Sequence, residues 1–237
     1  MNVTKYIDDY FYPDVENNWD DKILREIILS TLKGTDKLLD LGAGAGIISS
    51  MNFKKKCAAV YGVDLDPRVM ENKFLDYGCI ANVSKTPYED ASFDLVIADN
   101  LMEHLEFPTS VFKEINRILK PGGFLIFKTP NKNHYMPLIA RMTSHSVHRW
   151  VNKMRGRNEN DTFETKYLCN SSHQVHQLLS STSLEITKID FFESRPEYLR
   201  FSFFTYFFGI MYEKFVNSLD FFKPLRIVMI VTVKKKL

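Results

Sequence analysis

The feature that most constrains this chain is a run of alternating glycines closing a short apolar segment, Leu38-Leu39-Asp40-Leu41-Gly42-Ala43-Gly44-Ala45-Gly46. Lys37 to Leu41 reads as a buried strand ending at the cluster. Glycines at 42, 44 and 46 let the backbone turn sharply and approach a ligand where a Cβ would intrude. A helix is expected from Gly46 to about Lys56. Strand, glycine loop and helix in that order commonly hold a nucleotide at the carboxyl edge of a parallel sheet.

The elements that follow keep alternating. Ala58 to Val63 reads as strand, Pro67 to Tyr77 as helix, Cys79 to Val83 and Phe93 to Ala98 as strands, and Val111 to Leu119 as helix. Pro121-Gly122-Gly123 signals a sharp turn into a strand from Phe124 to Lys128. Before them, Trp19 to Leu32 has a helical period. Strand and helix alternate through residues 36–130, which implies parallel strands joined by right-handed crossovers. The expected fold is therefore α/β, a Rossmann-like, doubly wound, mostly parallel seven-stranded sheet. Its last strand, Ile227 to Val233, is expected to be antiparallel. Val175 to Leu179 reads as helix and Leu184 to Phe192 as strand.

A chain of 237 residues suits one such domain. Residues 36–131 would form its cofactor half, 131–172 a substrate-facing segment and 196–223 a helical, aromatic insertion. A formal charge of +2 is too mild to imply nucleic acid. Cys57, Cys79 and Cys169 lack metal-ligand spacing, so no metal is expected. Cys57 and Cys79 lie in or beside apolar runs, as small buried hydrophobes do. The polar, acidic N-terminus lacks the order of a signal peptide, and a cytoplasmic setting is expected.

Charge separates two nucleotide classes. A dinucleotide would bring its pyrophosphate to the glycine loop, where Asp40 would repel it. S-adenosylmethionine carries a sulfonium and an ammonium, which a carboxylate favours. Asp64, at the end of the second strand, is placed to accept hydrogen bonds from ribose hydroxyls. Read as G-x-G-x-x-G/A, the loop puts Ile47 or Ser49 at the third position, and neither fits the dinucleotide fingerprint.

LLDLGAGAG resembles motif I of the class I S-adenosylmethionine-dependent methyltransferases, and GVDLDP resembles their second-strand motif. TPYEDASFDLVIADNLMEHL and RILKPGGFLIFKTPN are similar to the fourth- and fifth-strand regions of the methyltransferase type 11 group. The resemblance covers residues 36–131 and implies S-adenosylmethionine as cofactor. It implies that Asp40, Gly42, Ala43 and Gly44 flank the methionine portion. Asp64 would bind the ribose, with Leu65 near the adenine. Asn82, with Val83 beside it, occupies a position where many members carry an Asp that accepts from the adenine amino group. Asp99 and Asn100 would lie beside the sulfonium and the methionine ammonium.

A hydroxyl acceptor benefits from a base, and His104, just beyond the fourth strand, is the first candidate. His134, after the fifth strand, is the second; either histidine reads equally as a packing or surface residue. His145 and His148 read as surface residues. Asp161 to Tyr167 resembles a stretch of methyltransferases from bacterial surface-glycan and glycolipid pathways, which implies a sugar or lipid-linked glycan acceptor; a solvated loop is the other reading. N- or C-methylation of a small metabolite, or a cofactor-binding partner protein without catalysis, are the alternatives. The apolar run Phe201 to Tyr212 is too short to span a bilayer. It would cap the core, form a homodimer face or contact a membrane peripherally.

Overall fold

The computed structural model describes residues 3–15, 19–142 and 165–237. Seven strands form one sheet: β1 (Lys37–Leu41), β2 (Ala59–Asp64), β3 (Tyr77–Ile80), β4 (Phe93–Asp99), β5 (Leu119–Pro130), β6 (Leu184–Phe192) and β7 (Val228–Lys235). The α-helices of the described residues are α1 (Val3–Phe11), α2 (Asp20–Thr31), α3 (Pro108–Ile118), α4 (Tyr135–Met142), α5 (Ser172–Leu179) and α6 (Phe203–Ser218). By backbone proximity the chain divides into two compact units. One comprises residues 21–129, 165–190 and 229–237; the other comprises the described residues of 3–20, 130–142 and 191–228.

The first unit carries the sheet, in the order β3-β2-β1-β4-β5-β7-β6. Pairs β1–β2, β2–β3, β1–β4 and β4–β5 are parallel. The Lys236 amide donates to the Ser183 carbonyl, and the Thr187 hydroxyl donates to the Thr232 carbonyl. Residue numbers thus rise along β6 as they fall along β7, so these two strands run antiparallel. The central strands are apolar on both faces: Leu38, Leu39 and Leu41 of β1, Val96 to Ala98 of β4 and Leu125 to Phe127 of β5 are all buried. That pattern belongs to a parallel sheet covered by helices on both sides. α3 starts on Pro108 and buries Val111, Phe112, Ile115 and Ile118.

Three expectations are corrected by local chemistry. Residues 46–56 do not form an α-helix; only a 3₁₀ turn, Ser49–Met51, is present. Gly46 sits at φ +68°, outside the helical region, and the Arg25 guanidinium takes the Ser50 and Asn52 carbonyls that a helix would have used. The next expected helix is likewise a 3₁₀ turn, Pro67–Glu71, capped by Asp66, whose side chain accepts from the Arg68 amide. The third strand ends at Ile80, because Asn82 folds its carboxamide back onto Ser84.

The Pro-Gly-Gly turn is absorbed into β5. Phe93 pairs with Leu119 and Leu95 with Phe124, so residues 120–123 bulge out of the ladder around Gly122 at φ +79°. Cys169 is the buried cysteine, whereas Cys57 and Cys79 are half-buried.

The second unit packs Ile7 of α1 against Tyr206 and Ile210 of α6, with Tyr12 alongside. Polar links reinforce this inner face. Asp8 meets the Tyr206 hydroxyl and Arg200, and the Tyr12 hydroxyl donates to Glu213 at 3.3 Å. Phe203, Phe204, Phe207, Phe208, Met211 and Phe215, on the other face of α6, are exposed. The apolar residues of α1, Val3, Tyr6, Ile7, Tyr10 and Phe11, recur at helical spacing, although this helix was not among the expected elements.

Candidate functional site

The glycine loop leaves β1 and folds over the end of β2, where the amides of Gly42 and Ala43 both donate to the Val63 carbonyl, at 2.8 and 3.3 Å. Gly42, Gly44 and Gly46 take φ values of +75°, +50° and +68°, which side chains with a Cβ seldom tolerate. Two side chains then hold the loop. Asp64 accepts from the Gly44 amide at 2.8 Å through one oxygen and from the Asp66 amide at 2.9 Å through the other. Asn72, buried just beyond the 3₁₀ turn, donates to the carbonyls of Ala43 and Gly44 at 3.0 and 3.2 Å. Its own carbonyl accepts from the Phe74 amide. A Cβ on residue 46 would come within 2.1 Å of the Asn72 side-chain oxygen, so the close approach requires glycine there.

Sheet register gathers acids at this edge. Asp40 pairs with Gly62 of β2 and Ile97 of β4, while Asp64 and Asp99 end their own strands. Burial raises the Asp40 carboxyl well above the usual carboxylate range, and the nearby charges of Asp99 and Asp64 raise it further. Asp99 is steadied by Lys128, whose Nζ lies 2.9 Å from its Oδ1, and by Asn100, whose amide donates to it at 3.0 Å. Lys128 also meets Asp21 of α2. Asn100 adopts φ +50°, a conformation that Asn accepts more readily than most residues. An acidic edge of this kind attracts a cationic ligand and repels a pyrophosphate.

Leu65 is exposed beside Asp64. Asn82 is exposed, and its side-chain carbonyl already accepts from the Ser84 amide and hydroxyl, at 2.9 and 2.8 Å. A carbonyl has two lone pairs, so contact with an adenine amino group would require this turn to open. Val83 follows it, half-buried.

The two histidines differ. His104 ends the short turn Met102–His104 after β4, partly exposed, with Nε2 3.9 Å from Glu103 Oε1. Glu103 is buried, accepts the Thr129 hydroxyl at 3.0 Å and, through its backbone carbonyl, the amides of Lys166 and Tyr167. Asn170 donates to Thr129 at 2.6 Å, and the Cys169 thiol donates to the Met102 carbonyl. Burial raises the Glu103 carboxyl, while His104 opposes that rise.

His134 belongs to the other compact unit and is 1% exposed. Its Nδ1 accepts from the Met136 amide at the start of α4, its Nε2 lies 3.4 Å from Glu193, and its ring packs on Tyr135 and Tyr212. That environment describes a packing residue. His145, His148 and residues 161–164 lie outside the described residues. Among the described residues, no group of three His, Cys, Asp or Glu is placed to hold a metal ion.

Asn72, Lys128, Glu103, Thr129 and Asn170 escaped the sequence reading. Asn72 carried no signal in a segment that read as helix. Glu103 and Lys128 stand within the quoted motifs, but their partners are distant in sequence.

Comparison with known proteins agrees with this architecture. Residues 39–127 match a family model described as a methyltransferase domain. A ubiquinone biosynthesis O-methyltransferase of Idiomarina loihiensis is 32% identical over 126 residues, which cover 49% of this chain and 51% of the relative. The chain thus spans about half the length of the curated relatives it matches. Among solved structures, the [4+2]-cyclase SpnF superimposes with a TM-score of 0.58 at 16% identity, covering 92% of this chain and 82% of that one. Geranyl diphosphate C-methyltransferase from Streptomyces coelicolor, solved with S-adenosyl-L-homocysteine, gives a TM-score of 0.55 at 17% identity, covering 92% and 79%.

Asp64→Ala is expected to weaken S-adenosylmethionine binding by about 1.5–3 kcal/mol, the scale for losing a charged hydrogen-bonding partner that also secures the loop. Unchanged affinity by calorimetry, in a variant with wild-type circular dichroism, would contradict this assignment.

Proposed function

We propose that this chain, whose residues 39–127 match a methyltransferase domain model, binds S-adenosylmethionine at the acidic strand edge and transfers its methyl group to an acceptor hydroxyl. The observation that carries the reading is the glycine loop pinned by Asp64 next to Asp40 and Asp99. The residues fit the cofactor. Gly42 lies against the Leu101 side chain, but at Gly44 a Cβ would meet only an Asp64 oxygen, at 3.9 Å, which leaves room for the methionine portion; Asp64 offers oxygens to the ribose, and the acids suit a sulfonium and an ammonium. Bound there, S-adenosylmethionine supplies an activated methyl group.

The protein's part in such a reaction is alignment and proton handling. Methyl transfer is an in-line displacement, so holding nucleophile, methyl and sulfur in line provides much of the acceleration. We assign to His104, partly exposed and beside buried Glu103, the task of taking the acceptor's proton. Curated relatives named as O-methyltransferases support oxygen as the acceptor atom. No feature of the described residues supports a glycan, and most of the segment that suggested one lies outside them. Resemblance to a [4+2]-cyclase keeps a second reading in view, in which the fold hosts another chemistry.

Incubation with methyl-labelled S-adenosylmethionine and extracts of lipids, quinones and glycans, followed by mass spectrometry of labelled products, tests the reaction. A methylated hydroxyl product is expected. His104→Ala should retain cofactor affinity and lose about 10²–10⁴-fold in turnover. Near-full turnover in a variant that binds cofactor normally would remove His104 from the mechanism.

For the α6 surface we propose peripheral contact with a lipid bilayer. Its outward phenylalanines offer apolar area with no hydrogen-bonding groups, while the polar links of α6 to Asp8 and Tyr12 face inward. No described helix is long and apolar enough to cross a membrane. Co-flotation with anionic phospholipid vesicles is expected, and the double variant Phe204→Ser, Phe208→Ser should abolish it. A wild-type protein that stays off vesicles and sediments as a dimer would assign the surface to self-association instead.

A further inference from the structure

The acidic strand edge encloses a cation that the proposed reaction leaves unused. Lys128 lies between Phe127 and Thr129 on β5, all three essentially inaccessible to solvent. A buried ammonium is costly unless paired, and an apolar residue of similar volume would ordinarily serve a central strand at least as well. This lysine is fully engaged. Its register partner across the β4–β5 ladder is Asp99, its Nζ is 2.9 Å from Asp99 Oδ1, and it also contacts Asp21 near the start of α2. A rigid strand therefore delivers one positive charge into a group of acids drawn from β1, β2, β4 and α2.

We propose that Lys128 is a positioning residue that fixes the charge of this cluster, keeping Asp99 ionised and oriented before a sulfonium ligand arrives. The proposal rests on the S-adenosylmethionine reading above. Charged and titratable groups of the described residues near Asp99 include Lys128 on β5, Asp21 on α2, Asp40 on β1 and Glu103 with its neighbour His104 in the turn after β4; Asp64 on β2 acts on Asp40. Without the ammonium, Asp99 would keep the Asn100 hydrogen bond but lose the Lys128 cation, with Asp21, Asp40 and Glu103 still nearby. It would then take up a proton and lose its attraction for a cation. Asp40, already raised by burial and by its acidic neighbours, cannot replace it.

S-adenosylmethionine and S-adenosylhomocysteine offer a direct probe, because they differ by a methyl group and the positive charge on sulfur. The ratio of their affinities reads the charge of the site at that atom. The ratio should fall as pH drops and the carboxylates protonate. A group held ionised by a neighbouring cation protonates at lower pH than it would alone. Removing the cation by Lys128→Met should therefore move the midpoint of that fall upward by about one pH unit or more. Asp21→Asn removes a competing negative charge, so it should move the midpoint downward. Lys128→Arg keeps the charge and should stay near the wild-type profile.

Titration calorimetry of both ligands between pH 3 and pH 9, on wild type and the three variants, tests the proposal. Opposite shifts for Lys128→Met and Asp21→Asn are expected. A purely packing role for Lys128 predicts parallel weakening of both ligands and an unmoved midpoint, which would overturn it. Should Lys128→Met fail to fold, the direction of the Asp21→Asn shift decides alone. If wild type binds neither ligand, the cofactor reading falls and takes this proposal with it; if wild type binds both and no midpoint moves, only the role of Lys128 falls.

Discussion

The contact on which the site depends is the hydrogen bond from the Gly44 amide to the Asp64 carboxylate. It joins the loop after β1 to the end of β2, and so converts a flexible glycine run into a shaped edge. A charged acceptor makes such a bond stronger than a neutral one. Asn72 completes the hold by taking two carbonyls of the same loop, those of Ala43 and Gly44. The missing helix after Gly46 is thus a consequence of the loop's own geometry. Positive φ at Gly46, and the Ser50 and Asn52 carbonyls committed to Arg25, leave no helical nucleus in residues 46–56.

Charge is the second determinant. A parallel sheet collects the residues at its strand ends along one edge, and here β2 and β4 end on acids while β1 carries Asp40 one residue before its end. Clustering carboxylates with little solvent between them costs free energy unless some are neutralised or protonated. The structure uses both means, with Lys128 beside Asp99 and a raised carboxyl at Asp40. An edge left in this condition favours a ligand that brings positive charge, and this separates a sulfonium cofactor from a pyrophosphate-bearing one.

Much of the fold was legible because strand and helix signals alternate cleanly over residues 36–130, and parallel order follows from that alternation. The identities of β1, β2, β4, β5 and α3 followed from apolar runs and period. What could not be read were features set by distant partners. Asn72 looks like any polar residue of a helix until the glycine loop is folded against it. Lys128 reads as the polar end of a strand until Asp21, 107 positions away, closes on it. His134 looked as available as His104, and only the folded chain shows it capping α4 while buried among Tyr135, Tyr212 and Glu193. α1 shows a helical period in the sequence, at Val3, Tyr6, Ile7, Tyr10 and Phe11, whereas its packing partners Tyr206 and Ile210, near the other end of the chain, could not be read from it.

The central claim is that an acidic, glycine-lined strand edge selects a cationic sulfonium nucleoside over a dinucleotide. Isothermal calorimetry of the wild-type protein against S-adenosylmethionine, S-adenosylhomocysteine and NAD tests it most directly. The account predicts saturable binding of the first two and no heat of binding with NAD. Tight NAD binding, with no response to either sulfur nucleoside, would contradict it.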